Sequence, residues 1–383
     1  MDFDLTVEQR TVRRTAREFA STTLLPRAAE VDRSGIWPSE IVRALGSVGL
    51  MGIEVPTLQG GQGGDPLATA IAIEEISSAC ATTGVVVSAH RSSCISPLQR
   101  FGSVDQRRSI LAPLARGEMF GTSALAQSLC EAGRPCVVAV WDQEDHSFVL
   151  EGSVHGVVGA AYADWIAVLA TENGMGTGAD LRGPTAFLVS RWSGGVRAEP
   201  PELLSGVRGA HFGTVHFERC KVKPTHVLGN VGDGIAIAQT AVNSGRLAIA
   251  CVAIGIARAA LDESIQFVGE GDMATSPRRN SQGTSLLIAD MATEVDAARM
   301  LAWRAARSCA SASPSSSDCS MAKMYACEMA VRVTESAAQL HGCVGHLTTS
   351  SIERHGRDAR VTDVFEGASD NQRSIVASEV LLR

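Results

Sequence analysis

An N-terminal helical domain, a central antiparallel β-barrel or sandwich and a C-terminal bundle of long helices are the architecture this sequence predicts. Three changes of texture carry that reading. Apolar residues recur at helical spacing over residues 1–119, short β-favouring runs broken by turn residues fill 120–230, and long helical periods return over 231–383. A chain of 383 residues exceeds one ordinary core, so division into such units is expected. Apolar residues make up 45% but aromatics only 4%, so the core must be built mainly from small aliphatics.

In the first region, Leu5-Thr6-Val7-Glu8-Gln9 opens a helix with a threonine cap, and apolar positions run on through Phe19 and Leu25. Pro38-Ser39-Glu40 starts another, ending near Gly49. The run Gln59-Gly60-Gly61-Gln62-Gly63-Gly64-Asp65-Pro66 has the glycine density of a phosphate-binding loop. No strand leads into it and no Lys-Ser/Thr follows, so it reads as a turn before a helix at 68–79. The second region offers strands at 136–140, 147–150, 165–170, 185–189 and 214–217. The third gives helices at 235–267, 285–307 and 321–340, with a Ser/Ala/Pro insert at 308–320 between the last two.

The net charge of −7 argues against nucleic acid or an anionic membrane as the main partner. No apolar run approaches transmembrane length, and Met1-Asp2-Phe3-Asp4 lacks a basic stretch followed by an apolar one, so a cytoplasmic location is expected. Ten cysteines are scattered without a C-x-x-C pair. Cys80, Cys94, Cys251 and Cys327 sit within apolar helical runs, as reduced, buried small hydrophobes do. Nine histidines form no H-E-x-x-H pattern, and no metal site is expected.

Chemistry concentrates near the C-terminus, in Arg357-Asp358-Ala359-Arg360, Val364-Phe365-Glu366-Gly367-Ala368 and Gln372-Arg373. Glu366 stands against a glycine on a turn between two helical segments. If that turn faces a cleft, desolvation raises the carboxylate's pKa and makes it a stronger base towards a carbon acid. A solvated loop glutamate satisfies the same local residues.

The order of elements and several local strings resemble the acyl-CoA dehydrogenase family across nearly the whole chain. Early matches are Leu5-Thr6-Val7-Glu8-Gln9-Arg10, Gly49-Leu50-Met51-Gly52-Ile53, Glu74-Glu75-Ile76 and Leu114-Ala115-Arg116-Gly117-Glu118. Later ones are Ser244-Gly245-Arg246, Met321-Ala322-Lys323, Gln339-Leu340-His341-Gly342 and the Asp358-Ala359-Arg360…Glu366-Gly367 signature. The resemblance implies an acyl-CoA dehydrogenase-like fold whose C-terminal part is a four-helix bundle, and a homodimer or homotetramer with flavin sites completed across subunits. It implies a flavin enzyme that desaturates an acyl thioester, carried by CoA or an acyl-carrier protein, and passes electrons to an acceptor. A carboxylate takes the α-proton while FAD accepts hydride from the β-carbon; a backbone N–H and a flavin hydroxyl stabilise the thioester oxygen. The base maps onto Glu366. Some members place it on an earlier helix, directly before a matching arginine, where this chain has Gly245 before Arg246; Arg246 then orients or charge-balances Glu366, or forms a structural ion pair.

Around the flavin the chain departs from the family pattern. The usual Thr-Glu-Pro threonine aligns with Ala126, and the hydroxyl donor after the flanking aromatic becomes Val158, which cannot donate to a flavin nitrogen. Arg-x-x-Phe-Gly is missing before the helix at 285, where Gln282 matches the family glutamine and Arg278 and Arg279 form either substitute phosphate partners or a solvated basic turn. Gly-Gly becomes Gly342-Cys343, and the threonine after Glu-Gly becomes Ala368. The cofactor contacts therefore fall at Ala126, Val158, Gln282, Gly342 and Ala368 by aligned position, with few side-chain donors. Three functions follow: acyl-thioester dehydrogenation through Glu366, a flavin-dependent hydroxylase of the same fold, and a flavin-poor non-redox or structural member.

Overall fold

The computed structural model describes residues 4–125, 136–172, 183–202, 204–269, 281–311 and 314–382. The N-terminal helices are α1 (Val7–Phe19), α2 (Ala28–Ser34), α3 (Ser39–Ser47), α4 (Pro66–Ala79), α5 (Ala81–His90), α6 (Ser96–Phe101), α7 (Val104–Gln106) and α8 (Ala112–Ala115). A reciprocal capping box opens α1: Gln9 N donates to Thr6 Oγ1 and Thr6 N to Gln9 Oε1. The glycine-rich run leads into α4, where Asp65 Oδ1 accepts from Ala68 N at 2.7 Å and Pro66 stands in the first turn.

Helices α4 and α5 are buried on nearly every face, so their few charges must be paired. Glu74 and Glu75 meet Arg258 at 3.1 and 2.8 Å, Glu74 meets Arg299 at 3.0 Å, and Glu75 meets Arg17 at 2.8 Å. This network pins α4 to α1 and to two helices of the C-terminal part.

The central strands are β1 (Gly121–Ser123), β2 (Val137–Asp142), β3 (Ser147–Val158), β4 (Trp165–Glu172), β5 (Thr185–Ser190), β6 (Val196–Ala198), β7 (Phe212–Val222) and β8 (Val227–Leu228). They hydrogen-bond in the order β6-β7-β3-β2-β4-β5-β8, with β1 beside β4. The antiparallel expectation needs correction, because β1 and β2 both run parallel to β4 and the sheet is mixed. A parallel pair needs a crossover connection. Here β3 itself is part of that connection, and local turn signals cannot reveal it. β3 also runs far beyond the predicted 147–150. Gly152 (φ 136°) and Gly156 (φ 75°) look like strand breakers in sequence, yet they absorb two irregularities in the β3–β7 register. At Gly152 a Cβ would lie 2.4 Å from Cys136 O, so the close strand approach requires glycine.

The C-terminal part comprises α9 (Gly234–Gly269), α10 (Gln282–Cys309), α11 (Ser316–His341), α12 (Ser351–Thr362) and α13 (Ser369–Leu381). Contrary to the expectation for apolar runs, α9 is long and apolar enough to cross a membrane, with a window of mean hydropathy 1.6. That window is 94% buried within the protein, because α4, α5, α10, α11 and α12 pack around it. The helix is a core element.

Two acid–base contacts seat α12, and so the turn that follows it. Arg357 forks onto Asp32 at 2.7 and 2.9 Å and donates to Ser205 O at 3.0 Å. Buried Asp358 accepts from Val207 N at 2.6 Å, holding Val207 in a left-handed conformation (φ 45°). Burial pushes the Asp358 carboxyl up to about 6, although that N–H bond pulls the other way.

Candidate active site

The chain leaves α12 through Asp363-Val364-Phe365 and turns at Glu366, which takes a left-handed φ of 56°. Glutamate rarely adopts that conformation, so neighbours must hold it there. Gln372 Nε2 donates to Glu366 O at 3.0 Å and to Gly367 O at 2.9 Å. Lys323, fully buried on α11, donates from Nζ to Gly367 O at 2.8 Å, Asp363 O at 2.7 Å and Asp363 Oδ1 at 3.0 Å. On the other side, Phe365 packs edge-on against Phe212 with ring centroids 5.8 Å apart.

Lys323→Met should therefore cost about 2 kcal/mol in urea unfolding, the order expected when buried acceptors lose their donor. Activity should fall further than stability predicts, because the lost tether fixes the turn.

Thus held, Glu366 enters the interior. The residue is only partly buried, but its Oε2 is sealed from solvent and has no protein hydrogen-bond partner. Desolvation raises the carboxyl to about 7, against the opposing pull of Arg246 and then Lys323. Gly245 makes room for it: a Cβ there would stand 2.4 Å from both Cδ and Oε1 of Glu366. Arg246, buried on α9, donates from one terminal nitrogen to Asn243 Oδ1 at 3.3 Å, while its Nε is sealed and unpartnered. Burial lowers the guanidinium's pKa and the Glu366 charge partly restores it. The two residues interact through space, without a direct ion pair among those described.

Around the carboxylate lies a cavity of about 20 Å³, room for about one water. Its walls are Val85, Ser88, Ala89 and Ser93 from α5 and the turn after it, Thr122 and Ser123 of β1, Val158 at the end of β3, Ile249 of α9 and Phe365. Thr122 Oγ1 donates to Val158 O at 2.7 Å, locking the two strand ends together.

Of the residues expected from the sequence, Glu366, Gly245, Arg246 and Val158 are brought together here. Ala368 stands two residues beyond Glu366 as an exposed N-cap of α13, accepting from Gln372 N and Asn371 N. Gln282 is exposed at the first position of α10 and Gly342 is an exposed cap of α11 with positive φ (61°); neither lines this cavity. Ala126, Arg278 and Arg279 lie outside the described residues. Sequence reasoning missed Lys323 and Gln372 as holders of the turn, and Ser88 and Ser93 as cavity walls. The signal for the serines is faint: Ser88, Ser92 and Ser93 stand with His90 and Arg91 as the polar residues between Val85 and Ile95.

One sealed, unpartnered carboxylate oxygen, Glu366 Oε2, belongs to the wall of this cavity, with the sealed Arg246 Nε on the neighbouring helix. Such a site is finished by what binds in it. The Glu366 carboxylate thus lies where the central sheet, α5 and the C-terminal helices meet. The chain's terminal regions match the family models for the acyl-CoA dehydrogenase N-terminal domain (residues 6–118) and C-terminal domain (residues 232–381). It is 34% identical over 383 residues to the short-chain specific acyl-CoA dehydrogenase of Clostridium acetobutylicum, covering 99% of this chain and 100% of that one. To the mitochondrial short-chain specific acyl-CoA dehydrogenase of Mus musculus it is 34% identical over 372 residues, 97% of this chain and 89% of the relative. Butyryl-CoA dehydrogenase from Megasphaera elsdenii superposes with a TM-score of 0.93 at 29% identity, covering 100% of both chains.

The chain belongs to the acyl-CoA dehydrogenase family. It is an oxidoreductase of acyl thioesters. Glu366 Oε2, sealed and without a protein partner, is the polar atom of the cavity wall that a bound group would meet.

Proposed function

We propose that Glu366 is the general base that removes the α-proton of a short acyl-CoA thioester, with Arg246 setting its charge. The observation that carries this reading is the Glu366 carboxylate, sealed and unpartnered on its left-handed turn against Gly245. A base whose pKa lies near working pH combines ionisation with proton-accepting power. As the proton leaves, negative charge grows on the thioester oxygen. Among the described backbone hydrogen bonds none uses the Glu366 N–H, which leaves it able to donate there. When bound, FAD supplies the acceptor for the hydride leaving the β-carbon. Val158, Thr122 and Ser123 would border the flavin on this chain. Gln282, Gly342 and Ala368 hold it at aligned positions, the exposed Gln282 from a neighbouring subunit of a homo-oligomer.

The short-chain relatives support a short acyl group. The test is anaerobic bleaching of the FAD-loaded protein. Butyryl-CoA should bleach it fast and palmitoyl-CoA should not; bleaching by a butyryl-carrier protein alone would move the reading to a carrier-bound substrate. No bleaching by any acyl thioester would overturn it.

The base must be ionised to act, so kcat/KM should rise about tenfold per pH unit below pH about 7 and level off above it. A profile flat from pH 5.5 to 8.5, roughly the span that brackets such a base, would exclude a group with this pKa.

A further inference from the structure

The hairpin of α10 and α11 brings two thiols together that stand ten residues apart in sequence. Cys309 closes α10, Cys319 lies in the first turns of α11, and their sulfurs are 3.6 Å apart. Cys319 is fully buried. Cys309 is half-buried and lines a cavity of about 500 Å³ together with Arg91, Asn243 and Ser244. A small solute in that cavity can reach one sulfur of the pair and not the other.

The two thiols are also chemically unequal. The S–H···S contact with Cys319 holds the Cys309 thiol below its ordinary value, and the Arg91 guanidinium adds to this against burial. The same contact, with burial, pushes the Cys319 thiol up. The accessible sulfur is thus the better nucleophile and the sealed one keeps its proton.

We propose that Cys309 and Cys319 form a dithiol that hydroperoxides oxidise to a disulfide, a modification site distinct from the Glu366 centre. The Cys309 thiolate attacks a peroxide oxygen: an S–O bond forms, the O–O bond breaks and hydroxide leaves. Cys319 sulfur then attacks Cys309, the S–O bond breaks, an S–S bond forms, and the Cys319 proton departs with the oxygen as water. Two thiols are oxidised and one peroxide is reduced. A disulfide closes at about 2.05 Å, so the sulfurs must approach by roughly 1.5 Å, and Cys309 sits at a helix end where such a shift is local. The link would form one turn from Lys323 and beside Arg246, at the back of the active site.

The FAD-loaded protein, treated with hydrogen peroxide and then alkylated, should yield a Cys309–Cys319 cross-linked peptide on non-reducing digestion. The peptide should be lighter by two hydrogens than its parts and should be lost on treatment with dithiothreitol. Cys319→Ser should instead accumulate a dimedone-reactive sulfenic acid on Cys309. Full alkylation of both cysteines after peroxide, or oxidation confined to the exposed Cys136 and Cys343, would overturn the proposal. The wild-type mass map decides it even if a variant folds poorly, and the readout does not depend on turnover.

Discussion

Glu366→Gln should slow flavin bleaching by butyryl-CoA by about 10³-fold, within the range for loss of a general base, while FAD remains bound. The amide keeps the shape of the side chain and the backbone bonds from Gln372 and Lys323 that hold the turn. Only the proton-accepting oxygen is lost. Stability should respond with the opposite sign. Glu366 titrates higher in the folded protein, about 7, than the ordinary 4.5 of an unfolded chain. Its contribution is therefore fully present below about 4.5 and is lost as pH rises through about 7. The glutamine does not ionise, so the variant's melting temperature should gain on wild type between those values and hold the gain at pH 8. Thermal unfolding of both proteins at pH 5 and pH 8 measures it. Lower activity with higher alkaline stability would be the mark of a functional charge held at a cost.

Gly245→Ala should reduce kcat about 10²-fold, the order for displacing a catalytic group by roughly 1 Å. The added Cβ would stand 2.4 Å from the Glu366 carboxylate carbon, a distance no real contact allows. α9 cannot yield, being buried against neighbours on both sides of this position, so the carboxylate must move. The helix itself gains up to about 1 kcal/mol from replacing glycine with alanine, which offsets the crowding. Melting temperature should thus stay nearly unchanged while turnover drops, separating misplacement from unfolding. Conversely, Gly245→Glu combined with Glu366→Gly sends a carboxylate into the same space from α9, and should recover activity above that of Glu366→Gly alone. Steady-state turnover with FAD content measured on each sample checks both outcomes.

The long helices and the main strands were legible because each buries a periodic face, which period alone reveals. What stayed hidden depended on contacts distant in sequence. The parallel pairing of β2 with β4 has no local turn signal, and Gly152 and Gly156 conceal the length of β3 because they read as breaks. At the site, Glu366 and Gly245 could be named from residue strings, yet their contact appears only once α9 and the α12–α13 turn are packed. Lys323 gave no sign of its role: a lysine inside an apolar helix looks like a solvated charge until its three acceptors come from a turn forty residues away. Cys309 and Cys319 belong to no sequence motif, and only a helix hairpin brings them together.

Removal of the α-proton by Glu366 can be isolated from the redox step. An acyl-CoA with sulfur in place of the β-carbon has no β-hydride to lose, so only proton exchange is possible. Incubated in deuterium oxide with the FAD-loaded protein at pH 8, its α-hydrogens should wash out as followed by proton NMR, and Glu366→Gln should suppress this by about 10³-fold. Exchange at the wild-type rate in Glu366→Gln would assign the base to another residue.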